Sequence, residues 1–303
     1  MNEKDRGIIQ LICGIPIILA NGIVLHILWK YINVSVPEII LMLNLSSADI
    51  LVGIILIWQA IFNLVGYLRD LPGVCIFRFS SMVFVSFASL FAVLLTAFER
   101  LLCVCYHGKY TTVTRKKTVA FVFGTWVYCA LLTMWPVVTK QFEMTANNTG
   151  CMPPREYTIF IPVQYFVILF SMCAMYVMMC QAAVTKRRQI VSIESNLVLN
   201  SRLMKFRHEL RAAKFMAVIL VIFMFCWTPF AISLVYQAST TKLNELLIHI
   251  SEISAFFGVL NSFANPIVYP LQNRRFRNAT FQIFGRIKRR FAKPQQDTFC
   301  TVI

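Results

Sequence analysis

Asp49, in LNLSSADILVG, is a carboxylate with no charged neighbour in an apolar run. In such surroundings a carboxylate needs a cation, a proton or several hydrogen bonds. Ser89, and in GVLNSFANPIVYP Asn261, Ser262 and Asn265, are the polar side chains available to answer it. Together they offer the oxygen ligands that a small hard cation prefers. The alternative is a protonated Asp49 that ties helices together. A second place for chemistry is LLTAFERLLCV, where Glu99 and Arg100 stand side by side after a run from Ile76 to Phe98 whose only formal charge is Arg78. Charges stop a helix at water, which is the plain reading of this pair. The four histidines are scattered, no Cys/His spacing suits a metal and no paired catalytic groups share one depth, so an enzyme is not expected.

The elements that hold these residues follow from composition. Of 303 residues 58% are hydrophobic and only 14% charged, too little polar surface for a water-soluble globule. Crossing a bilayer takes roughly 20 apolar residues in a helix. Seven stretches satisfy this, about 8–30, 38–65, 75–106, 118–138, 158–184, 208–237 and 245–270. Lysine and arginine crowd the loops on one side, which places that side in the cytoplasm, with the C-terminus, and the N-terminus outside. The net charge of +16 is therefore read as bases beside anionic lipid, and nucleic acid is not an expected partner. MNEKDRG is too short and too mixed in charge for the start of a signal peptide, so the first stretch is expected to remain as a helix. The chain reads as one all-α bundle over 1–285, including a short amphipathic helix over 272–285, and a basic cytoplasmic tail over 286–303.

On the outer side, Cys75 opens the third stretch and Cys151 lies in the loop after the fourth, where an oxidising environment favours a disulfide between them. Asn147, in NNT, is the one glycosylation sequon placed outside. Pro229 in CWTPF and Pro266 and Pro270 in NPIVYP interrupt the sixth and seventh stretches, and such kinks can act as hinges.

These features, in this order, resemble the rhodopsin-like (class A) G protein-coupled receptors over about residues 15–285. Asn21, Asp49, the Cys75–Cys151 pair, Glu99-Arg100, Trp126, Trp227 with Pro229, and Asn265, Pro266 and Tyr269 match the family's motifs. The resemblance implies a plasma-membrane receptor, an outer pocket for a small-molecule ligand, and an inner surface that opens by outward movement of the sixth helix onto a heterotrimeric G protein. It also implies a two-state equilibrium shifted by whatever binds one state better. Asp49, Ser89, Asn261, Ser262 and Asn265 then correspond to an allosteric sodium pocket; no other cofactor is expected. Trp227 lies beneath the ligand with Phe223 one turn further in, and Tyr176 and Tyr269 reorganise on activation. Glu209 occupies the position from which relatives latch the sixth helix to the arginine, so Glu209→Ala is expected to raise ligand-independent signalling. Leu101 replaces the usual aromatic after the arginine, His107 stands where proline is common, and Ile168 holds the usual fifth-helix proline position. A receptor-like binding protein with weak coupling is accordingly the alternative, ahead of a transporter, which would need a continuous polar pathway.

For the ligand, Met82 stands where amine receptors of this family carry an aspartate, and the seventh stretch has no lysine to hold retinal, Val259 standing at that position. Arg78, on one stripe with Met82 and Ser86, resembles the arginine of lysophospholipid and fatty-ethanolamide receptors. With Gln59, Tyr165, Tyr236 and Glu252 as neighbours it suits a mostly apolar ligand with one acidic or strongly polar head. The competing reading has Arg78 reaching water or pairing with Glu252, and small peptides or amine- and odorant-type ligands stay open. At the inner end, the basic and apolar faces of NRRFRNATFQIFGRIKRRF describe a helix lying on the membrane surface. The last residues, CTVI, fit the carboxylate-terminated motif bound by PDZ domains through Thr301 and Ile303, or a loose prenylation box at Cys300. Few hydroxyls in the tail point to weak arrestin capture.

Overall fold

A computed structural model describes residues 3–31, 36–65, 72–139, 143–144, 151–191, 197–240, 245–272 and 274–291. Helices α1 (Glu3–Tyr31), α2 (Val36–Leu64), α3 (Pro72–Cys105), α5 (Arg115–Val138), α6 (Arg155–Val191) and α7 (Leu197–Ser239) correspond to the first six apolar stretches. Each contains a segment long and apolar enough to cross a membrane. The one-turn helix α4 (His107–Tyr110) follows α3. Two two-residue strands, β1 (Glu143–Met144) and β2 (Cys151–Met152), form an antiparallel pair in which Met144 faces Cys151.

The seventh stretch is interrupted, as its prolines lead one to expect, but the break lies ahead of Pro266. The stretch consists of α8 (Glu245–Leu260), a 3-10 segment at Asn261–Phe263 and α9 (Ala264–Gln272). Pro266 has no N–H to give the carbonyl four residues earlier, so the backbone of Ser262 loses its helical partner. Asn21, on α1, donates from Nδ2 to that Ser262 carbonyl at 3.1 Å. The same event occurs in α5, where Pro136 frees the carbonyl of Leu132 and the hydroxyl of Tyr157, on α6, donates to it at 3.2 Å.

Helix α3 is central, touching α2, α5, α6 and α7, while α1 packs along α2 and α8 along α7. Close approach of α1 to α2 depends on glycine. A Cβ on Gly53 would lie 2.7 Å from Ile18 Cγ1 and 2.9 Å from the Gly14 carbonyl oxygen. Outward faces are apolar: Phe225 is 80% exposed and Phe170 68%, surface that lipid covers.

After α9 the chain turns into α10 (Arg274–Phe291), 18 residues long rather than ending at 285 as expected. Its Phe276 is buried with Val24, Ile27 and Leu28 of α1 and meets the Tyr269 ring at 5.8 Å, which pins α10 under the inner end of α1. Because amphipathic periodicity continues to Phe291, nothing in the sequence breaks the helix at 285, and the tail starts later.

Candidate functional site

At the outer end, Arg78 on α3 turns towards α2. Its Nε donates to Gln59 Oε1, and Gln59 Nε2 returns a bond to the Arg78 carbonyl at 3.0 Å. The guanidinium carbon lies 4.8 Å from the centre of the Phe62 ring, a cation-π geometry. Arg78, Met82 and Ser86 share one stripe and are half-buried, with the Ser86 hydroxyl spent on the Met82 carbonyl at 2.7 Å. The Glu252 side chain falls outside the described residues. Tyr236 does not join this group: it is 58% exposed. At 100° per residue its nine-residue separation from Trp227 is about two and a half turns, which puts it on the opposite face of α7.

Below Arg78, an aromatic column links α6 and α7. Tyr165 stacks on Phe223 at 6.4 Å, Phe223 on Trp227 at 6.1 Å, and Phe230 meets Trp227 edge-on at 6.0 Å. Tyr165 and Thr228 share a hydroxyl-hydroxyl hydrogen bond of 2.9 Å. Gly258 on α8 sits directly against the Trp227 indole, where an added Cβ would lie 2.8 Å from two ring carbons. Ile168, Leu90 and Phe223 are all buried in this core, and α6 runs as α-helix through both Pro162 and Ile168.

Asp49 is fully buried and receives three hydrogen bonds: from Ser262 Oγ at 2.8 Å, from Ser89 Oγ at 3.4 Å and from Asn265 Nδ2 at 2.6 Å. The structure thus brings together helices α2, α3 and the broken seventh crossing at one carboxylate. Asn261 Oδ1 and Asn265 Oδ1 are buried acceptors with no hydrogen-bond partner among the described residues. Unspent hard oxygens around a carboxylate fit a sodium ion and the waters it carries.

At the inner end Arg100 is 6% exposed and Glu99 4%. Arg100 Nε donates to Glu99 Oε2 at 2.5 Å, and Nη2 lies 3.3 Å from Oε2 of Glu38 on α2. Sequence reasoning missed Glu38 as a partner, because a glutamate in the first turn of a helix reads as a favourable charge at a water-facing N-terminus. Tyr176 is half-buried on α6 and Tyr269 fully buried on α9, while Pro229 is exposed and Pro266 half-buried. The side chain of Glu209 lies outside the described residues, as do Asn147, Thr301 and Ile303. So do the side chains of Cys75 and Cys151, although the strand that begins at Cys151 lies against α3.

Residues 20–269 match the family described as 7 transmembrane receptor (rhodopsin family). The chain is 25% identical over 288 residues to sphingosine 1-phosphate receptor 1 of Danio rerio, covering 93% of this chain and 78% of that one. It is 26% identical over 277 residues to adenosine receptor A2b of Homo sapiens, covering 84% and 82%. With cannabinoid receptor 1 of Xenopus laevis the identity is 24% over 292 residues, 91% of this chain and 62% of the relative. Six helices long and apolar enough to cross a membrane among the described residues, a buried acid at mid-bundle, an arginine clamped at the inner end and a family match across most of the length lead to one conclusion: the chain is a multi-pass membrane receptor of the rhodopsin family, which carries a ligand signal to heterotrimeric G proteins.

Proposed function

We propose that the ligand is a mostly apolar molecule with one acidic or strongly hydrogen-bonding head, and that the head meets Arg78. The observation that carries this reading is the setting of the guanidinium, braced by Gln59 and laid over Phe62 at the outer end of α3. A braced arginine loses little further side-chain freedom when it binds, and its planar fork suits carboxylate or phosphate. Met82 one turn below offers an amine no counter-charge. Relatives named for sphingosine 1-phosphate and a cannabinoid receptor agree with a lipid-like ligand.

Asp49 with Ser89, Asn261, Ser262 and Asn265 would hold a sodium ion. Its charge would offset that of the carboxylate and favour the arrangement in which all three crossings converge there. The receptor acts at the plasma membrane, with Asn147 glycosylated and Cys75 bonded to Cys151 on the outer face. Inside, Thr301 and Ile303 present a PDZ-binding terminus, and arrestin binds weakly because the tail has few hydroxyls.

The test is a G protein activation screen of lipid acids, amines and small peptides on cells expressing the chain, with Arg78→Ala alongside. A lipid acid should emerge as agonist and lose about a hundredfold in potency on Arg78→Ala. An active lipid acid that Arg78→Ala leaves unaffected would remove Arg78 from the ligand site.

A further inference from the structure

We propose that Glu38 is a second anchor for Arg100, holding the arginine against α2 by a tie that outward movement of α7 does not release. Helices α2 and α3 run antiparallel, and Asp49 and Ser89 meet between them at 3.4 Å. Eleven residues inward from Asp49 on α2 is Glu38, and eleven residues inward from Ser89 on α3 is Arg100. Eleven residues make about three turns and about 16 Å, so both helices return to the same facing side at the same depth. The mid-membrane contact therefore sets the register that brings Glu38 Oε2 to 3.3 Å from Arg100 Nη2.

The pair is sheltered, with side-chain exposures of 7% for Arg100 and 23% for Glu38, so water screens it only in part. Glu99 holds the Nε edge and Glu38 an Nη, so the two acids occupy different parts of one guanidinium. Tyr110 of α4 stands beside Glu99, and Tyr176 of α6 and Cys103 of α3 lie near the arginine. Helix α2 is itself fixed to α1 by the Gly14–Gly53 approach, so the Glu38 carboxylate belongs to the part of the bundle that α7 leaves behind. A latch from an acid on α7 would be lost when α7 swings out. Glu38 keeps its grip, and a G protein must draw Arg100 off it. Glu38 is thus a positioning residue that raises the threshold for coupling in every ligand state.

Removing its charge should not unfold the receptor, because Glu99 still compensates the buried arginine. The experiment measures ligand-independent GTPγS uptake by a panel of heterotrimeric G proteins in membranes from cells with matched surface levels. The variants are Glu38→Gln, Glu38→Ser and Glu38→Asp, with Glu209→Gln as the α7 counterpart. Both neutral variants should raise basal uptake about fivefold or more. Glu38→Asp, which keeps the carboxylate, should fall between them and the parent. Glu38→Gln and Glu209→Gln should combine to more than either alone. Should one neutral variant fail to reach the surface, the other decides. Basal uptake at or below the parent's level in a neutral variant with normal surface expression overturns the proposal. So does an equal rise with Glu38→Asp, which would make the effect one of packing and not of charge.

Discussion

Trp227 is held in place by what its neighbour lacks. The indole rests on Gly258 with no room for a methyl group, and a fused ring, unlike the end of a flexible chain, cannot yield locally. Gly258→Ala must move the ring or part α7 from α8, at a cost of about 1–3 kcal/mol. A lower unfolding midpoint of the detergent-solubilised receptor is the expected outcome. Adding Trp227→Phe, which removes the outer ring, should recover much of the loss. An unchanged midpoint for the single variant would mean that the contact is looser than the structure has it. Residues at this scale were legible in unequal measure. Asp49 stands out because a carboxylate among leucines needs partners, and Ser89, Ser262 and Asn265 were the polar groups on hand. Glu38 and Phe62 were not, since an acid at a helix start and an aromatic in an apolar run each have an ordinary explanation. Only the register between α2 and α3 singles them out. Gly258 carries no signal by itself, because its significance lies in the ring across from it.

Among the elements, α1 and α2 show how small residues set a helix separation. Gly53 faces the Gly14 carbonyl and Ile18, and backbone cannot shift as a side chain can. Gly124 in α5 is the internal control, since a Cβ there would meet nothing within 4 Å. Gly53→Ala should lower surface expression and thermal stability. Gly124→Ala should be neutral or stabilise by up to about 1 kcal/mol through helix propensity alone. If the two behaved alike, the tight α1–α2 approach would be wrong. The six long helices could be read from apolar length, but the ends could not. Helices α6 and α7 extend into polar sequence at the inner side, past the apolar limits of 184 and 208, because a helix already nucleated in the bilayer gains a bond for each added residue. The 3-10 turn at Asn261–Phe263 escaped notice for a related reason: Pro266 is visible in the sequence, but the form of the break depends on Asn21 across the bundle.

For the molecule as a whole, orientation follows from the skewed distribution of lysine and arginine. An epitope on the N-terminus should be accessible on intact cells, and one on the C-terminus only after permeabilisation. Asn147→Gln should abolish the mass shift produced by N-glycosidase while leaving surface labelling largely intact. A C-terminal epitope exposed on intact cells would invert the topology and with it the placement of Arg78 and Arg100. The long apolar helices were thus legible from hydropathy, whereas the identity of the pocket walls was not. Tyr236 shows why: it reads as a neighbour of Arg78, and half a helical turn sends it to the opposite face.

The two captured carbonyls, Ser262 by Asn21 and Leu132 by Tyr157, have a consequence for how such a bundle can change over time. Each proline subtracts a bond from its own helix and hands the acceptor to a neighbour, so local weakness becomes long-range connection. Replacing Pro136 with alanine would repair α5 as an isolated helix and make the Tyr157 hydroxyl share its acceptor with a backbone N–H, as Ser86 shares the Met82 carbonyl. A substitution that strengthens the part would then dilute a connection that holds the whole.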